Sequence, residues 1–258
     1  MRMPTCRSRR YSMTTREFVF IPMFVGIILF MVGAAIPAYS GNDQVLFRED
    51  FHDLSAWKDV FFPKISRHTV YRVERSGSES YLAARSDASA SLLVYKRPFD
   101  VYEYPHVRWR WKVSNIYKNA DSKVKSGDDY PIRIYIAFVY DPQDAGPIDR
   151  AIFNAARLIY GEYPPWGSLN YVWSSKVLPE RTIASPYTDR NRIIFLEKGS
   201  SHVGQWVDEE VNILKDYEEI FGKKPPRQAT IGIMNDSDNT GEKSTSYVEF
   251  IEVYRADK

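Results

Sequence analysis

The chain of 258 residues holds a single cysteine, Cys6. One thiol near the N-terminus excludes internal disulfides and leaves the rest of the chain with no thiolate metal site and no thiol nucleophile. Histidine is also scarce. His52, His68, His106 and His202 show none of the spacings that a zinc site uses. There is no phosphate loop and no dinucleotide fingerprint, and no G-x-S-x-G elbow to expose a hydrolytic serine. A basic excess is missing too. The formal net charge is +2, but residues 1–40 carry five of the 35 Lys and Arg and one of the 33 acids, so the remainder has a formal charge of −2. Without a basic stripe, nothing points to nucleic acid.

The first forty residues have a clear order. Arg7, Arg9, Arg10 and Arg16 precede an uncharged apolar run from Phe18 to Ile36, and the small residues Ala38 and Ser40 follow. Basic, apolar, small is the order of a bacterial export signal, with cleavage expected after Ser40. The run is also roughly the ~20 residues that span a bilayer, so an uncleaved anchor stays open. Either way, an N-terminal hydrophobic helix should precede a separate domain over residues 41–258. That domain is expected to be periplasmic or secreted, or else held at the inner membrane by its anchor. Cys6 lies ahead of the apolar run, where it cannot serve as a lipid-attachment cysteine.

Strand signals dominate the remainder. The clearest is Ile132–Tyr140, where Ile132, Ile134, Ile136 and Phe138 alternate with Arg133, Tyr135 and Ala137, the period of two of a half-buried strand. Further candidates are 45–51, 69–73, 81–84, 89–96, 104–113, 169–174, 192–197, 230–234 and 246–254. About ten or eleven such strands with few helical stretches predict an all-β fold, an antiparallel two-sheet sandwich of jelly-roll or lectin-like type. Two helical excursions interrupt it. One is Ile148–Tyr160, with Ile148, Ile152, Ala155, Ala156 and Ile159 at helical spacing and Gly161 as a stop. The other is Asp208–Phe221, where Asp208, Glu209 and Glu210 suit a helix N-terminus.

Three constellations could carry chemistry. In Val107–Val113, alternation puts Trp109 and Trp111 on one face and Arg108, Arg110 and Lys112 on the other. Tryptophans in a core and cations in solvent are one reading. A cationic groove floor is the other. If this strand lies beside 132–140, Arg110, Arg133 and Tyr135 form one patch, suited to an acidic ligand such as a uronic-acid glycan, because guanidinium forks bind carboxylates bidentately. The second constellation, Asp236-Ser237-Asp238-Asn239-Thr240-Gly241, matches the first half of a calcium loop. Asp236, Asp238 and Thr240 would be ligands, but the twelfth position is Tyr247 rather than Glu. A polar hairpin turn is the plain alternative. Asp128 and Asp129 could complete a calcium site, or the two acidic loops could form a catalytic carboxylate pair. The cost of clustering carboxylates predicts that both loops lie at one end of the sandwich near Arg133. The third is the rigid loop Tyr163-Pro164-Pro165-Trp166-Gly167, which either presents Trp166 to a ligand or plugs one end of the fold.

Several motifs together resemble a known family. They include Phe47–Phe51 with Leu54 and Trp57, Trp109-Arg110-Trp111, Gly127-Asp128-Asp129 followed by Arg133, and Tyr171-Val172-Trp173. Ser185–Thr188, Trp206, Asp216-Tyr217 with Phe221-Gly222, and Asp236–Thr240 continue the series. In this order, over nearly all of residues 45–254, they resemble the bacterial exported family known as domain of unknown function 3047. The resemblance implies an exported all-β domain and supplies no activity. Three functions remain: a module binding a glycan or other envelope ligand, a polysaccharide hydrolase or lyase using the clustered carboxylates, and a structural envelope protein. No cofactor is called for beyond calcium, and the expected partner is a glycan or an acidic small ligand.

Overall fold

The computed structural model describes residues 43–257. The expected helix over 18–36 and the signal or anchor lie outside the described residues. No helix among the described residues is long and apolar enough to cross a membrane.

In chain order the strands are β1 (Gln44–Glu49), β2 (Trp57–Val60), β3 (Val70–Ser76), β4 (Glu79–Asp87), β5 (Leu92–Tyr95), β6 (Phe99–Asp100), β7 (His106–Val113), β8 (Arg133–Phe138), β9 (Gly167–Ser174), β10 (Thr182–Ala184), β11 (Asn191–Lys198), β12 (Val207–Asn212), β13 (Gln228–Met234) and β14 (Lys243–Arg255). Helix α1 (Pro147–Tyr160) follows β8, and α2 (Ile213–Phe221) follows β12. A six-stranded sheet runs β12-β7-β14-β4-β3, with β1 also on β14; an eight-stranded sheet runs β10-β11-β9-β8-β13-β5-β2, with β6 also on β13.

The core lies between the sheets. Trp109 and Trp111 on β7 meet Tyr171 and Trp173 on β9, at centroid separations of 5.7 and 6.1 Å. All four rings are buried, as are Ile134, Ile136 and Phe138 of β8. Each aromatic ring buries on the order of 150–250 Å², so this inter-sheet layer supplies much of the hydrophobic stabilisation.

Four expectations need correction. The sheets are not wholly antiparallel, because β9 and β11 pair in parallel; β10 and the turn after it intervene between them and return the chain to the same direction. Strands β7 and β8 lie in different sheets, so Arg110 is not beside Arg133. Asp208-Glu209-Glu210 belong to strand β12 rather than to the start of a helix. Asp208 and Glu210 there pair opposite Arg110 and Arg108 of β7, an arrangement of unlike charges that favours the strand. Helix α2 begins later, where the Asn212 side chain accepts the Lys215 N–H at 3.0 Å and caps the first turn. Finally, α1 docks through Phe153, stacked 4.0 Å from Tyr140, whereas Ile148 and Ile152 are 77% and 57% exposed.

Candidate carboxylate–tyrosine site

Strand β8 places Arg133 and Tyr135 on the face of the eight-stranded sheet that points away from the core. The turn before it brings Asp128 and Asp129, and the loop between β13 and β14 brings Asp236 and Asp238. Both acidic loops therefore meet at the Arg133 end of the sandwich. Two local features hold them. A Cβ on Gly127 would stand 2.6 Å from the Asp121 backbone nitrogen, so only glycine allows this close approach. Buried Asn235 donates to Ala84 O and Ser246 Oγ, and its Oδ1 accepts from Tyr117 at 3.1 Å and Ser244 at 3.0 Å. That network anchors the start of the 236–240 loop.

Arg133 is buried at the centre. Its Nε donates to Asp236 Oδ1 at 2.9 Å and its Nη2 to Asp236 Oδ2. Nη1 donates to Asp128 Oδ2 at 3.3 Å, and Nη2 also to the Asp128 carbonyl at 2.8 Å. The guanidinium lies 4.5 Å from the Tyr130 ring centroid and 6.0 Å from that of Tyr135. Asp129 organises the second loop: its Oδ1 accepts from the Asn239 side chain at 3.0 Å, and its Oδ2 accepts the Thr240 N–H at 2.6 Å. Thr240 thus contributes its backbone N–H to this loop.

The electrostatics are one-sided, with four carboxylates sharing one guanidinium. Burial, then Asp129 and Asp128, push the Asp236 carboxyl up to about 8 against the pull of Arg133. Burial also raises Asp128, again opposed by Arg133. Half-buried Asp238 is raised by burial and then by Asp129, and it forms no ion pair among the described residues. Oxygens of Asp129, Asp236 and Asp238 lie within 4.8 Å of one another. A divalent cation suits that donor set and the surplus charge, although each oxygen of Asp129 and Asp236 already accepts at least one N–H.

Two rings border the carboxylates. Tyr135 is half-buried, its hydroxyl 3.6 Å from Met234 Sδ. Tyr187, in the turn between β10 and β11, is 55% exposed; burial and then the charge of Asp128 raise its hydroxyl. Sequence reading missed Tyr187 as a site residue, because it lies about fifty residues beyond β8 and only the pairing order β8-β9-β11 brings it near. Its place in the motif Ser185–Thr188 was the available signal.

Two residues grouped with this site stand elsewhere. Arg110 is on the outer face of the six-stranded sheet, held by Asp208 at 3.0 Å and Glu249 at 3.3 Å. Trp166 lies at the opposite end of β8, where its N–H meets the Phe138 carbonyl. One ring face carries Arg190 at 4.1 Å and Phe153 stacks 5.7 Å away, so Trp166 plugs that end. It borders a cleft of about 500 Å³ with Tyr140, Tyr217, Lys223 and Lys224.

Fold and site together define a two-sheet β-sandwich with a buried arginine–carboxylate cluster at one end. The chain belongs to the family described as Protein of unknown function (DUF3047), whose model matches residues 55–252. No curated protein matches it. Among solved structures it is similar to the family 11 carbohydrate-binding module from Clostridium thermocellum in complex with a β-1,3-1,4-mixed-linked tetrasaccharide, at 10% identity over 84% of this chain and 98% of that one, TM-score 0.41. It is also similar to the seed lectin of Lotus tetragonolobus, at 8% identity over 82% and 99% of the two chains, TM-score 0.37. The lectin of Bauhinia forficata in complex with GalNAc gives 12% identity over 83% and 98%, TM-score 0.35. Identities this low leave the ligand to be read from the chemistry of the site.

Proposed function

We propose that the protein is an exported module that binds a neutral glycan at the carboxylate–tyrosine end of the eight-stranded sheet. The observation that carries this reading is Asp238: a half-buried carboxylate, unpaired among the described residues, at the end of the sheet where the charges of Asp128 and Asp236 act on Tyr135 and Tyr187. Carboxylates accept hydrogen bonds from sugar hydroxyls, and the negative faces of aromatic rings attract sugar C–H groups. An acidic ligand is disfavoured here. Arg133 and Arg110 already hold protein carboxylates, and the surplus negative charge repels another. Export rests on the basic, apolar, small order of residues 1–40, which supports a periplasmic or secreted module, or one held at the inner membrane by an uncleaved anchor.

Hydrolase or lyase chemistry needs an acid that can reach a substrate. Asp236 has the most strongly raised carboxyl of the cluster, yet it is 1% exposed and bound on both oxygens by Arg133. Its shift reflects burial rather than a poised proton donor, which favours the binding module. Calcium is part of the proposal: held by Asp129, Asp236 and Asp238, it would offset the charge that one arginine leaves uncompensated. The test is a glycan-array screen of the protein with calcium at about 2 mM, above the ~10⁻⁴–10⁻³ M dissociation constants of extracellular calcium modules, and with a chelator. We expect binding to uncharged oligosaccharides, stronger with calcium and lost in Asp238→Ala and Tyr187→Ala. Binding unchanged in both variants would overturn the site.

A further inference from the structure

The outer face of the six-stranded sheet carries a second surface of different chemistry. Strand pairing sets Arg72 of β3 opposite Ala83 of β4, Ala83 opposite Tyr247 of β14, and Tyr247 opposite Lys112 of β7. Directly paired residues share a face, so these four form one row across four strands. At neighbouring strand spacings of ~4.8 Å, the row is about 14 Å long. Arg85, one step along β4 on the same face, pairs opposite Val70.

At the β3 end the surface opens into a cavity of about 400 Å³ lined by Arg67, His68, Arg72, Arg85, Ser86 and Ser89, with Asp87 as the one carboxylate of the lining. Arg67 and Lys243 hold Asp87 at 3.2 and 2.8 Å, and Arg85 pairs with Glu74. Exposed Arg72 forms no ion pair among the described residues. The cavity therefore keeps a positive surplus over a floor of two buried serines.

At the other end Tyr81, Tyr247 and Trp206 form a half-buried ring cluster. Their centroids are 5.6–6.3 Å apart and the rings are steeply inclined to one another. Lys112 Nζ sits 4.4 Å from the Trp206 ring and 4.7 Å from that of Tyr247, with no carboxylate partner among the described residues. Arg108 and Arg110 share this face but are held by acids; Lys112 and Arg72 are not.

We infer that this face binds a saccharide bearing an anionic group, with the carboxylate, sulfate or phosphate in the arginine cavity and the sugar rings running towards Tyr81, Tyr247 and Trp206. Guanidinium forks bind such oxyanions bidentately; Ala83 is itself fully buried, so a ligand meets the longer side chains around it rather than Ala83. The inclined rings do not form the parallel stacking platforms that successive nucleobases use. The cavity adjoins the 236–242 loop, since Ser89 of its lining accepts the Ser237 N–H at 2.9 Å, but Asp128, Asp129, Asp236 and Asp238 are not part of its lining.

The test is titration calorimetry of the protein with hexagalacturonate, with cellohexaose as the uncharged control and inorganic sulfate as the anion alone. The expected result is hexagalacturonate binding that weakens with added salt. Arg72→Ala should raise its Kd roughly tenfold, the loss of one charge-assisted interaction, with thermal stability unchanged. Arg72→Lys should recover part of the affinity, Trp206→Ala should also weaken it, and Asp238→Ala should leave it as in the wild type. Failure of hexagalacturonate to bind, equal affinity in Arg72→Ala, or sulfate binding as tightly as the oligosaccharide would each overturn the inference.

Discussion

Arg133 is the single cation within a buried group of carboxylates, and replacing it by methionine tests what holds the two acidic loops together. The guanidinium makes two bonds to Asp236 and two to Asp128, one of them to its carbonyl. Methionine keeps most of the apolar stem and removes all four. Taking away one partner of a buried ion pair costs about 3–5 kcal/mol, because the remaining charge stays buried without compensation. Here two carboxylates are left, so the loss should reach the upper part of that range at neutral pH. The sign of the pH effect follows from the raised carboxyls. A group whose folded pKa lies above its unfolded value favours folding at low pH and loses that contribution as pH rises through the folded value. Without Arg133 the carboxyls of Asp236 and Asp128 rise further, so acidification should recover part of the lost stability. Urea denaturation of wild type and Arg133→Met at pH 5 and pH 7.5 reads both effects. A loss below about 1 kcal/mol at pH 7.5, the value of an exposed pair, would refute the buried-cluster account, as would a deficit independent of pH.

Other consequences are smaller or more local. Trp109→Ala and Ile136→Ala should each cost several kcal/mol, about 3–5 for the tryptophan and 2–5 for the isoleucine, measured by the same denaturation. Arg110→Ala, by contrast, removes two partly exposed pairs and should change stability by roughly 0–1 kcal/mol for each, with no effect on binding at the carboxylate–tyrosine site. Gly127→Ala should destabilise the protein and displace Asp128 and Asp129, visible as loss of calcium-dependent stabilisation; a neutral outcome would contradict the close approach to Asp121. Glu209, pushed up from 4.5 to about 8 by burial and then by Glu197, should make the melting temperature fall as pH rises from 4.5 to about 8 and level off above that. Glu209→Gln should flatten that slope.

The two-sheet architecture was legible because alternation is a strong local signal. Ile134, Ile136 and Phe138 against Arg133 and Tyr135 mark one face of β8 as core without any knowledge of its neighbours. Sheet membership is a different matter. Nothing in the pattern of Val107–Val113 says that β7 pairs with β14 and β12 rather than with β8, since pairing partners are fixed by the path of the whole chain. The Arg110–Arg133–Tyr135 patch failed for that reason. Asp208-Glu209-Glu210 were misread because acids suit a helix start as well as a strand facing Arg108 and Arg110; the cap at Asn212 decides the matter. The meeting of the two acidic loops could be foreseen from charge alone, since clustered aspartates need a cation and Arg133 stands next to one of them. The ring cluster of Tyr81, Trp206 and Tyr247 could not, because its members are scattered over more than 160 residues.

The central claim is that an uncharged glycan is held where Asp238, Tyr135 and Tyr187 meet. It is tested most directly by following the aromatic ring resonances of the protein by NMR while the best neutral oligosaccharide from the array is added. The rings of Tyr135 and Tyr187 should shift together along one saturating curve, with Asp238→Ala abolishing the change, while rings at the opposite end such as Trp166 and Tyr217 stay fixed. Saturating shifts at Trp166 and Tyr217, with Tyr135 and Tyr187 unmoved, would contradict it.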